Sequence, residues 1–281
     1  MKKLAAALLA GVMVLSMAAC GSTKTTETTK AAETTKAGET KAEETGKAEE
    51  TSAAEAREDD GKLIMATEAG FAPYEYTEDG STVIGVDVDI ANEIAKAMGK
   101  ELVIQNMNFD SALLAVQQGK VDFAAAGISV TPEREEQMDF SIEYTTSKQV
   151  VVVKKDAGRV ASVDALNADT VVGVQGGTVA DSYCQDDLGT KDLKQYSKFM
   201  EAAMDLKNDK IDCIIMDSLP AEQMVAENDD LEILDGEVFT DKYAIAVQKG
   251  NKEMLDQINE VLQKLVDDGK VDEFIINHTT K

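Results

Sequence analysis

The sequence predicts an α/β fold with open sheets for residues 61–281, on three observations. Short apolar runs alternate with amphipathic segments, glycines close several of those segments, and polar or aromatic residues stand just beyond the runs. Strands are expected at 63–67, 102–106, 121–125, 150–153, 171–174, 211–216 and 243–247. The spacing predicts a helix over 89–98, with Ile90, Ile94 and Met98 on one face and Gly99 as its stop, and another over 111–118, stopped by Gly119. Further helices are expected at 179–187, 199–208, 219–227 and 253–268, the last ending at Gly269. In open α/β sheets a ligand binds beyond the carboxyl ends of the strands. Those ends deliver Glu68 and Phe71, then Phe109, then Ala126, Gly127 and Ser129, then Gln175 and Thr178, and finally Asp217. Carboxylates, hydroxyls, glycines and two aromatics at one rim suit a small zwitterion. A sugar site would show more aromatic planes, and the chain has no Trp.

The N-terminal residues are different material. Lys2 and Lys3 precede an apolar stretch from 4 to 19, too short to span a hydrocarbon core of roughly 30 Å, that ends in Ser16-Met17-Ala18-Ala19-Cys20-Gly21-Ser22. Small residues before a cysteine resemble a lipoprotein lipobox. That resemblance implies a signal peptide over 1–20, a diacylglyceryl group on Cys20 and anchorage at the outer face of the cell membrane. In residues 21–60, Lys24, Lys30 and Lys36 recur with Glu27, Glu33 and Glu39 between them, and nothing large and apolar intervenes. Such a segment cannot offset the entropy of ordering, so a disordered tether is expected, its ends roughly 35 Å apart.

The chain carries a net charge of −25. Setting aside Lys2, Lys3 and residues 21–60 (six basic, eleven acidic) leaves −22 on residues 61–281. That surface repels nucleic acid and anionic lipid, so neither is expected as a direct partner of the folded part. With one histidine, His278, and no cysteine pair at metal spacing, a zinc site is not expected. Cys213 lies inside the apolar run 211–216 and reads as a small core residue; a disulfide to Cys184 stays open. Gly173, Gly176 and Gly177 miss the spacing of a dinucleotide fingerprint, and no P-loop lysine follows them.

Five segments together resemble family 3 of the bacterial extracellular solute-binding proteins. They are Ala66-Thr67-Glu68-Ala69-Gly70-Phe71-Ala72-Pro73-Tyr74-Glu75, Gly85-Val86-Asp87-Val88-Asp89-Ile90, Ala126-Gly127-Ile128-Ser129-Val130-Thr131-Pro132-Glu133-Arg134, Gly176-Gly177-Thr178 and Met216-Asp217. The resemblance implies a two-lobed periplasmic-binding-protein-like (type II) fold with a hinge and an interlobe cleft. The first lobe would comprise 61–146 and 245–281, the second 147–244, with crossings near 146–150 and 241–244. It also assigns roles. Arg134, whose planar fork matches a carboxylate, clamps the ligand α-carboxylate. Thr178 either holds the same group from the other lobe or caps a helix. Asp217 pairs with the α-ammonium or caps the following helix. The Gly127 carbonyl and Ser129 hydroxyl, with Ala126 beside them, complete the polar shell. Phe71 and Phe109 sandwich the ligand side chain, Glu68 reaches its end, and Gln175 and Met216 flank it as selectivity positions. The implied function is the extracytoplasmic substrate-binding component of an amino-acid ABC transporter. It would capture a free, polar L-amino acid by cleft closure and deliver it to a permease, as a monomer with no cofactor and no catalysis. Two other classes stay open: a periplasmic-type dehydratase acting on an amino-acid-like substrate, with Glu68 as general acid, and a ligand-binding sensory lipoprotein.

Overall fold

The computed structural model describes residues 60–279. The expected signal peptide, Cys20 and residues 21–59 of the expected tether lie outside the described residues. Strand β1 (Lys62–Thr67) is buried along most of its length, as a central strand covered on both faces must be. A small antiparallel hairpin, β2 (Tyr76–Thr77) with β3 (Val83–Ile84), leads into α1 (Val86–Met98). This helix begins earlier than residue 89. Gly85, at φ 134°, turns the chain where a Cβ would stand 2.1 Å from the Tyr74 carbonyl oxygen. The helix buries Val86, Ile90 and Ile94 and stops at Gly99, in the left-handed region.

Next come β4 (Glu101–Asn106), α2 (Phe109–Gln117), β5 (Phe123–Ala124), the one-turn helix α3 (Pro132–Glu135) and β6 (Met138–Phe140). The long strand β7 (Thr145–Lys154) opens a second sheet, which continues through β8 (Val171–Gln175), α4 (Val179–Asp186), β9 (Asp192–Tyr196) and α5 (Phe199–Lys207). It is completed by β10 (Cys213–Asp217), α6 (Ser218–Glu227), β11 (Leu231–Ile233) and β12 (Phe239–Tyr243). Strand β13 (Ala246–Gln248) returns to the first sheet before α7 (Lys252–Asp267) and α8 (Lys270–Thr279).

Two sheets therefore define two lobes. The first has the order β4-β1-β5-β13-β6, with β1 parallel to β4 and β5. The second has the order β11-β7-β10-β8-β9, with β12 also paired to β7 and β8 parallel to both β9 and β10. The chain passes between the sheets at residues 141–144 and 244–245. These passages lie side by side: the Tyr144 N–H donates to the Tyr243 carbonyl at 2.9 Å and the Ser141 N–H to the Ile245 carbonyl at 2.9 Å. The segment 146–150, where a crossing was expected, lies inside β7. The single strand expected at 243–247 is two, because Tyr243 ends in one sheet and Ala246 begins in the other.

Helix α8 was not foreseen. It follows the left-handed Gly269 and docks on α1 and the hairpin through His278, whose ring nitrogens lie 3.0 Å from Tyr76 Oη and 2.9 Å from Asp89 Oδ2. Cys184 and Cys213 are free thiols buried in the core of the second lobe, which answers the disulfide question in the negative. Among the described residues, no helix is long and apolar enough to cross a membrane, and no group of three or more His, Cys, Asp or Glu is placed to hold a metal ion.

Candidate functional site

The carboxyl end of β1 feeds a tight turn that the backbone fixes: Gly70 N–H donates to the Glu68 carbonyl at 2.8 Å, and Ala69 N–H to Asn106 Oδ1 at 2.9 Å. Phe71 then stacks between Tyr74 and Phe199, ring centroids 5.9 and 6.0 Å away. Gly127, at φ 54°, presses against the Phe71 ring so closely that a Cβ would lie 2.7 Å from it; only glycine fits both requirements. Phe109 does not sit in a loop. It opens α2, buried, with the Arg134 guanidinium carbon 5.5 Å from its ring centroid.

Arg134 sits on α3, which Thr131 caps and Pro132 starts. Its Nη1 donates to the Ser129 carbonyl at 2.5 Å and its Nη2 to the Gly177 carbonyl of the second lobe at 2.9 Å. Burial pulls the guanidinium down to about 10, against the opposing pull of Asp241, Asp110 and Asp217. Across the cleft, Thr178 caps α4: its hydroxyl accepts from Asp181 N–H at 3.3 Å and donates to the Gln175 carbonyl at 2.8 Å. Asp217 precedes α6 yet makes no side-chain cap bond. Its carboxyl accepts instead from Ser147 Oγ at 2.6 Å and from the Tyr243 hydroxyl, and burial raises its pKa.

Glu68, 2 % exposed, joins the lobes by accepting from Gln175 Nε2 at 3.2 Å. Its other oxygen, Oε1, makes no hydrogen bond, and Lys198 Nζ lies 3.7 Å away. Burial raises the Glu68 carboxyl, opposed by Gln175 and Lys198.

The structure brings Glu68, Phe71, Phe109, Ala126, Gly127, Ser129, Arg134, Gln175, Thr178 and Asp217 around one small cavity. Met216 does not join them. Side chains alternate along β10, so the residue before Asp217 turns the other way, into the hydrophobic core. Glu75 and Val179 also line the cavity and were missed. Glu75 ends the segment 66–75, but a lone glutamate between two tyrosines carries no signal of burial. Asp241 was missed as well, although it accepts from the Ser129 hydroxyl and burial pushes it up to about 6.

Two α/β lobes closing on a small cavity that holds a guanidinium and several carboxyls define a two-lobed solute-binding protein. The chain belongs to the bacterial extracellular solute-binding proteins, family 3, whose sequence profile matches residues 63–279. The arginine-binding extracellular protein ArtP of Bacillus subtilis is 34% identical over 221 residues, covering 75% of this chain and 83% of that protein. The arginine-binding periplasmic protein of Mannheimia haemolytica is 30% identical over 212 residues, 74% of this chain and 86% of its own length. Among solved structures, the amino acid ABC transporter substrate-binding protein AbpA from Streptococcus pneumoniae, bound to L-arginine, superposes with a TM-score of 0.73 at 36% identity. The match covers 78% of this chain and 94% of that one. An ancestral arginine-binding protein bound to glutamine gives 0.73 at 33% identity, covering 80% and 100%.

Proposed function

We propose that this protein captures L-arginine for an ABC importer. It is a substrate-binding component of an amino-acid ABC transporter, as its family and relatives are; the choice of arginine rests on a charge count inside the cavity. A zwitterion uses one cation and one anion of the site, Arg134 for its α-carboxylate and Asp217 for its α-ammonium. Glu68 is then left over among the cavity-lining residues, buried, with one oxygen free of hydrogen bonds and only the half-exposed Lys198 3.7 Å from it. A ligand with a second positive charge satisfies it. That surplus carboxyl carries the proposal, and the arginine-binding names of the relatives support it.

In this reading the Gly127 carbonyl and Ser129 hydroxyl hold the ammonium beside Asp217, and Thr178 lies with its helix N-terminus toward the α-carboxylate. Phe71 and Phe109 flank the aliphatic stem, and Gln175 orients Glu68 on the guanidinium. Residues 61–140 with 246–279 form one lobe and 145–243 the other, joined through 141–144 and 244–245. Ligand contacts to both lobes exist only in the closed state, so binding shifts the equilibrium toward closure, which the permease reads. No bond is made or broken, and the arginine is released unchanged. The chain acts as a monomer, held to the outer face of the membrane by lipid on Cys20. Mass spectrometry of the mature N-terminus tests the anchor: an unmodified residue following cleavage elsewhere would remove it.

The ligand is tested by a thermal-shift and calorimetric panel of the common L-amino acids on the purified chain. Arginine should raise the melting temperature most. Strong stabilisation by a neutral or acidic amino acid, with none by arginine, would overturn the assignment. Full recovery of arginine after incubation tests the absence of chemistry.

A further inference from the structure

We propose that Glu75 is a second acid of the ligand side-chain subsite. It holds a proton against Asp87 in the free protein and gives it up when a cationic side chain enters. The proposal rests on the reading of the ligand as a basic amino acid.

Three observations carry it. Glu75 lines the cavity, is 1 % exposed, and its Oε2 has no hydrogen-bond partner among the described residues. Its carboxyl lies in the electrostatic reach of Asp87, whose N–H donates to the neighbouring Tyr74 carbonyl at 3.0 Å and which is itself fully buried. Asp87 is already committed as an acceptor, with Gly127 N–H at 3.0 Å on Oδ2 and Tyr144 O–H at 2.7 Å on Oδ1. Two adjacent buried carboxyls facing no paired cation cannot both be ionised, so the pair keeps one proton. The fixed donors stabilise charge on Asp87, which places the proton on Glu75.

The other titratable neighbours reinforce this. Glu68 and Asp217 add negative charge, while Tyr74 and Tyr144 lie near enough to feel Glu75; the one cation lining the cavity is Arg134, which the ligand carboxylate occupies. Burial, Asp87 and these carboxyls hold Glu75 well above the ordinary range, and burial raises Asp87 to about 6.

A guanidinium entering the cavity reverses the balance. The Glu75 O–H bond breaks, its proton passes to buffer, and the carboxylate pairs with the cation. Arginine binding should then release up to one proton, and affinity should rise with pH by up to about tenfold per unit while Glu75 is protonated in the free state. A neutral isostere, citrulline, leaves the proton in place.

The test is titration calorimetry of L-arginine with the full chain, near neutral pH, in two buffers of different ionisation enthalpy, across a pH series. Wild type should release protons with arginine. Glu68→Gln, which weakens binding, should still release them, and Glu75→Gln should not. Equal release in wild type and Glu75→Gln overturns the proposal, as does release by citrulline equal to that by arginine. If Glu75→Gln does not fold, the wild-type comparison of arginine with buffer and pH decides alone, and arginine binding without proton release overturns the inference while sparing the proposed function. Absence of any arginine binding sinks both.

Discussion

Arg134 on the first lobe donates from Nη2 to the Gly177 carbonyl on the second at 2.9 Å, while its Nη1 holds the Ser129 carbonyl of its own lobe. One guanidinium thus spans the cleft, and its charged neighbours, Asp241, Asp110, Asp217 and Glu133, are all carboxyls.

Replacing Arg134 by Ala would remove the proposed α-carboxylate clamp and leave those carboxyls without their cation. Ligand affinity should fall by at least ~30-fold, the loss of ~2 kcal/mol or more seen when one partner of a buried charge pair is truncated. Arg134→Lys keeps the charge but not the fork and should recover only part of the loss. Calorimetry checks both; near-native affinity in the alanine variant removes the clamp assignment.

Glu68→Gln keeps the size and the contact with Gln175 but removes the charge. Arginine affinity should drop by ~10-fold or more while glutamine affinity holds or improves. The ratio of the two dissociation constants is the readout. A uniform loss across ligands would show that Glu68 shapes the cleft without selecting the side chain.

Gly85→Ala should destabilise the fold by more than ~3 kcal/mol, since φ 134° disfavours any Cβ and this one would meet a backbone oxygen at 2.1 Å. Chemical denaturation measures it. A change below ~1 kcal/mol would mean that the β3–α1 junction shifts freely.

Burial holds Asp87 at about 6 in the folded protein, above its ordinary value of 3.8. A carboxyl raised on folding stabilises the native state fully below its unfolded pKa and loses that contribution as pH rises through the folded one. The ligand-free protein should therefore melt higher near pH 5 than near pH 7 (about two units apart), and Asp87→Asn should flatten the difference. A wild-type melting temperature that falls steadily on acidification over that window would refute this.

Much of the site was legible because its residues stand at strand ends. Glu68, Ala126, Gln175 and Asp217 follow or finish apolar runs that could be read directly. Edge strands such as β9, Asp192–Tyr196, were not legible, because half-exposed polar strands have no apolar run. The break at Ala244–Ile245 was hidden for the opposite reason: both residues are fully buried, so two strands in different sheets read as one. Glu75 and Asp241 were invisible as site residues, because burial of a carboxylate is a tertiary fact that local pattern does not encode.

Residues 145–243 are entered and left through adjacent passages, whereas β1 and α8 both belong to the first lobe. Tension applied between Lys62 and Thr279 would consequently run through the outer half alone. The inserted half is mechanically shielded until its host gives way, so single-molecule extension should release the chain in two separate lengths, the shorter and later one belonging to the stretch between Thr145 and Tyr243.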